Sequence, residues 1–92
     1  MTEKRQTTIE EAQRVGNEIG VDWSRFDVEQ FRLGMDVEFE HGSRDPQTDV
    51  TGDDPIVTGK IALAHMKEFP DYYERLERME RDAEREWANR PG

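Results

Sequence analysis

Apolar residues recur along this chain at intervals of three and four, the spacing that lines one side of an α-helix. Ile9, Ala12, Val15 and Ile19 form the first such row. Thr8 precedes it as an N-cap, and Glu11 completes a capping box three residues later. Gly20 stands where a left-handed residue would end that helix. Val28, Phe31, Met35 and Glu38 make a second row, with Gly34, Val37 and His41 alongside. Asp27 and Gln30 read as its capping box and Gly42 as its end. Between the two, Asp22 caps a single turn that Trp23 and Phe26 pin to the core.

The stretch SRDPQTDVTGDD, residues 43–54, is a 12-residue acidic loop rich in turn formers. Asp54 before Pro55 is an N-cap followed by the proline favoured at the first helical position. The third helix runs to about Glu68, with Val57, Ile61, Ala64, His65 and Glu68 on one face. Pro70 breaks it, and Asp71 with Glu74 restarts the chain. Tyr72, Leu76, Met79, Ala83 and Trp87 then repeat along a fourth helix, supported by Glu74–Arg78 and Glu77–Arg81 pairs. No run alternates like a strand. The pattern predicts an all-α fold, a small four-helix domain spanning residues 1–92 and ordered from about 7 to 88, with loose ends. The third and fourth helices are expected to form a hairpin packed on the first two.

Composition narrows the picture. Of 92 residues, 33% are hydrophobic and 38% charged, so the core is modest and a bound ion or partner would add stability. The chain has no cysteine, which removes disulfides and thiolate chemistry and fits a cytoplasmic protein. No stretch approaches the roughly 20 apolar residues of a membrane span, and MTEKRQ lacks the apolar segment of a signal peptide. The net charge is −9, and residues 27–54 hold nine acidic against two basic residues. That concentration argues against nucleic acid as a partner, since phosphate binding needs clustered Lys and Arg. It leaves room for a cation, a protein partner or a homodimer.

Two Glu/His pairs stand out. Glu38 and His41 share a helix face at a spacing of three, and His65 and Glu68 repeat that spacing in reverse order. If the two faces meet, two imidazoles and two carboxylates converge. Such a set suits a divalent metal such as Zn, Fe or Mn, and is a partial match to di-iron bundles. The competing reading keeps these residues structural. His41 would then complement the helix dipole, and His65 would bond to Asp71, Glu38 or a backbone carbonyl. In the metal reading, Glu68 or Asp71 would complete or orient the site from outside. Asp45, Asp49, Asp53 and Asp54 do not follow a calcium-loop spacing. Tyr72 and Tyr73 are expected to anchor the helix junction with their hydroxyls at the surface. Trp23 and Trp87 are read as packing residues; an exposed Trp87 would mark a partner site.

The residues Gly34, Val37, Glu38, Glu40, His41, then Ile61, Ala62, His65, Glu68, Pro70, Tyr72 and Tyr73, resemble a pattern found elsewhere. They are similar to a family of small uncharacterised prokaryotic and phage-associated proteins, classed as a domain of unknown function. The resemblance covers about residues 22–80, and its pattern is VExEHG followed by IAxxHxxExPxYY. It implies a helical fold and marks these residues as a signature, but brings no activity with it. Three readings follow: a metal-binding or polar buried site on Glu38, His41, His65 and Glu68; an acidic protein-interaction or regulatory module with structural histidines; and, ranked last, an enzyme.

Overall fold

The computed structural model describes residues 6–42 and 44–88; the terminal segments expected to be loose lie almost wholly outside them. Four helices follow one another: α1 (Ile9–Ile19), α2 (Val28–Glu40), α3 (Pro55–Glu68) and α4 (Tyr72–Ala88). No strand occurs among the described residues. The helix starts are those the sequence marks. Thr8 Oγ1 accepts from the Glu11 amide at 3.1 Å, Asp27 from Gln30 at 3.2 Å, and Asp54 from Ile56 at 2.8 Å. Each bond satisfies an amide that the first helical turn leaves without a carbonyl partner. Gly20 ends α1 at φ 85°, where its amide turns back to the last helical carbonyls.

The core is built mainly from α1, α2 and α3, each of which touches the other two. Ala12, Val15, Phe31, Met35, Phe39, Ala62 and Met66 fill it, joined by Val21 and Phe26 from the α1–α2 connector. Trp23 closes one side. Its ring meets Phe31 edge-on at 5.7 Å, and its indole N–H donates to Asn17 at 2.7 Å.

Two expectations about faces need correction. On α3 the buried residues are Thr58, Gly59, Ala62 and Met66, while Ala64 and Glu68 are exposed. The buried face is rotated by about one residue from the predicted one. Its centre is made of small side chains that let helices approach closely, and these carry little hydrophobic signal. On α4 only Tyr73 is buried. The helix touches α2 and α3 but not α1, so α3 and α4 do not pack as a hairpin across both earlier helices.

The segment between α2 and α3 spends its acidic residues on its own turns. Asp45 accepts from the Gln47 amide at 3.0 Å and Asp49 from Gly52 at 2.8 Å. Thr51 is buried and its hydroxyl accepts from the Asp53 amide at 3.1 Å. These contacts place the start of α3 beside the end of α2.

Candidate functional site

The junction of α3 and α4 explains how an aromatic–acidic cluster is assembled. Pro70 forces the residue before it out of the helical region. Phe69 accordingly adopts an extended backbone, φ −145° and ψ 120°, and α3 stops. The Phe69 amide still donates to the His65 carbonyl at 3.2 Å, and the Tyr72 amide donates to the Phe69 carbonyl at 2.9 Å. This tight corner turns α4 back so that Tyr72 and Tyr73 stand next to His65.

The Tyr72 ring stacks on the His65 imidazole, with centroids 4.5 Å apart and planes 13° apart. Tyr73 meets His65 nearly at right angles at 6.1 Å. Tyr73 is the largest fully buried side chain, with 1% of its surface exposed. Its ring lies against Gly34 of α2, where a side chain of any size would collide with it. Its hydroxyl donates to Glu38 Oε2 at 2.7 Å. The same carboxylate oxygen lies 3.8 Å from His65 Nε2, an ion pair when the imidazole is protonated. One glutamate from α2 thus meets a histidine from α3 and a tyrosine from α4.

This arrangement resolves the puzzle of a carboxylate on an apolar row. The Glu38 side chain is only 12% exposed. An isolated buried carboxylate would cost several kcal/mol, and a hydrogen-bond donor removes much of that cost. The effect on Tyr73 is reciprocal: burial, then the hydrogen bond and charge of Glu38, push its ionisation far above the ordinary tyrosine range. The phenol is held protonated as a donor. His65 Nδ1 is buried and has no hydrogen-bond partner among the described residues.

The four predicted ligands separate. Glu38 and His65 come together. His41 is exposed as the C-cap of α2, its amide bonded to the Glu38 carbonyl, and Glu68 is exposed at the end of α3. Among the described residues no three His, Asp, Glu or Cys side chains form a group that could hold a metal ion. Asp71 is engaged elsewhere: both its oxygens accept from Arg75 Nε at 2.9 Å. That cation holds the Asp71 carboxyl below its ordinary range.

Sequence reasoning missed the role of Tyr73. Its hydroxyl was expected at the surface and instead points inward to Glu38. The signal available was Gly34, which stands in register with Glu38 one turn earlier and marks a close helix approach. Also missed was a second tie, in which Asp36 accepts from the buried Thr7 amide at 2.7 Å and from Arg32 at 3.1 Å.

Residues 12–82 match the family described as Protein of unknown function (DUF5661). The chain belongs to this family. The matched DUF5661 region contains Gly34, Glu38, His65, Tyr72 and Tyr73, the whole α2–α3–α4 cluster. Neither the curated proteins nor the solved structures include a match.

Beyond the cluster, α4 carries its apolar residues outward. Met79 is 55% exposed and Trp87 67%, and Phe69 at the corner is 56% exposed. Trp87, read from the sequence as a packing residue, is largely exposed. No helix among the described residues is long and apolar enough to cross a membrane.

Proposed function

We propose that this chain is a small acidic protein-interaction module, in which the Glu38–Tyr73–His65 cluster fixes the root of α4 and so presents the apolar row of that helix. One observation carries the reading: a 17-residue helix buries a single side chain while leaving Met79 and Trp87 largely exposed. Large apolar side chains exposed along one side of a helix are a mark of a surface made for another molecule. The histidines are then structural, as the competing reading in the sequence had them. His65 gives Tyr72 a stacking partner, and His41 sits at the negative end of α2.

The test is association from extracts of the source cell. Wild-type protein retains partners, itself or others, that Met79→Glu loses while keeping the same helical circular dichroism. Identical association by the two proteins refutes the reading.

A divalent metal on Glu38 and His65 is the second reading, supported by their 3.8 Å approach. A structural zinc site takes four protein ligands and a catalytic one three, and this pair supplies two. The interaction reading therefore predicts purified protein without stoichiometric Zn, Fe or Mn and a melting temperature indifferent to chelator. Stoichiometric metal, with melting lowered by chelator, would establish the metal reading instead.

A further inference from the structure

α2 and α4 meet closely where the Tyr73 ring lies on Gly34. Beside that contact the two helices leave a groove of about 330 Å³, at the small end of clefts that hold ligands. Leu33, Asp36, Val37 and Glu40 form its α2 wall, and Tyr73, Leu76, Glu77 and Glu80 its α4 wall. Both sets have the spacing of a single helix face. Leu33, Val37 and Leu76 make an apolar floor that is half-buried against the core. The acidic residues stand around it, and among the described residues no Lys, Arg or His lines the groove.

The four carboxylates differ in how far they are already engaged. Asp36 accepts from the Thr7 amide and from Arg32, and Glu40 has a contact of its own. Glu77 and Glu80 are exposed and make no hydrogen bond or ion pair among the described residues. The Glu77–Arg81 pair that the spacing suggests does not form; the pairs on α4 are Asp71–Arg75 and Asp82–Arg85. An apolar floor edged by two unengaged carboxylates is not the site of a bare metal ion, which needs several converging ligands; no such group of three occurs among the described residues. A lysine or arginine side chain fits both parts, because its aliphatic stem packs on apolar surface while its charge stays at the water's edge. Glu40 is the last residue of α2, so the negative end of that helix's dipole lies at the same groove and favours a cation. The net charge of −9 draws basic partners towards the molecule.

We propose that the α2–α4 groove seats an arginine or lysine from a basic segment of a protein partner, its stem on Leu33, Val37 and Leu76 and its charge held by Glu77 and Glu80. The proposal rests on the interaction-module reading and gives the partner its chemistry.

The probe is a fluorescent peptide of alternating arginine and alanine, titrated with the full-length chain at physiological ionic strength, with a glutamate–alanine peptide as control. The arginine peptide binds, the control does not, and the backbone amides of the chain that shift by NMR lie in residues 33–40 and 73–80. Glu77→Gln with Glu80→Gln weakens binding by roughly tenfold or more. Glu10→Gln with Glu18→Gln removes the same charge from exposed positions on α1 and changes binding by about twofold or less. Val37→Phe narrows the groove with every carboxylate in place and also weakens binding; each variant is compared at wild-type helicity. Equal losses from the two double variants, or no effect of Val37→Phe, would reduce the binding to diffuse charge and overturn the seat. Spermidine binding as tightly at the same amides would make the groove a polyamine site and overturn the protein partner. Absence of peptide binding overturns the proposal outright, and leaves the extract measurement, made through Met79, to decide the interaction module by itself.

Discussion

Tyr73 is where most of the side-chain chemistry of this molecule meets. Its ring fills the space left by Gly34, and its hydroxyl supplies a proton to Glu38 at 2.7 Å. Tyr73→Phe keeps the ring and removes the donor, leaving a largely buried carboxylate with a poorer environment. The expected loss is about 1–3 kcal/mol of unfolding free energy, measured by denaturant titration. The pH dependence follows from the direction of the tyrosine shift. Ionisation of Tyr73 is pushed up on folding, so its contribution to stability is intact below the unfolded tyrosine value near 10 and declines as pH rises above it. Wild-type protein is therefore expected to lose stability more steeply above about pH 10 than Tyr73→Phe does. Parallel curves would show that the phenol ionises freely in the folded state. Glu38 and His65 were legible in the sequence because a charged residue on an apolar row needs a partner. Tyr73 was not, because periodicity reports which side of a helix is apolar and says nothing about where a hydroxyl points.

The helices themselves were legible because their ends are written in side-chain chemistry. Thr8, Asp27 and Asp54 cap the helices the spacing located. Asp71 shows the limit of that logic: the same residue type before a helix binds Arg75 in preference to capping. The faces were harder. Gly59 and Ala62 centre the packed side of α3, where Gly59 admits Val15 and Phe31, and residues this small barely register in an apolar pattern. Gly34 does for the α2–α4 approach what Gly59 does for α1 and α3. Gly34→Ala drives a methyl group against the Tyr73 ring, and Tyr73 is fully buried. A loss of roughly 1–3 kcal/mol is expected, as for overpacking in other cores. The same substitution on an exposed helix position would be stabilising, so the sign of the change in thermal midpoint tests whether α4 sits where described.

At the scale of the molecule, the division of labour is uneven. α1, α2 and α3 share the core, and α4 adds a single buried side chain, Tyr73 in its first turn. The Asp71–Arg75 and Asp82–Arg85 pairs on α4 are exposed and add little to its hold. The sequence led to the opposite picture, because the apolar row of α4 has the spacing of a packing face. That reading of the row was sound as chemistry: a face of this kind is made to be covered. What the chain could not disclose by itself is that α1 lies out of reach of α4. The row and the cluster are linked, since Tyr73 fixes the base from which the row projects.

Native-state amide hydrogen exchange on wild-type protein and Tyr73→Phe, compared helix by helix, tests that link most directly. Loss of protection concentrated in α4, with α1 and the buried turns of α2 retaining theirs, is the predicted result. An equal loss across all four helices, or no change in α4, would contradict the claim that the Tyr73–Glu38 bond holds this helix to the core.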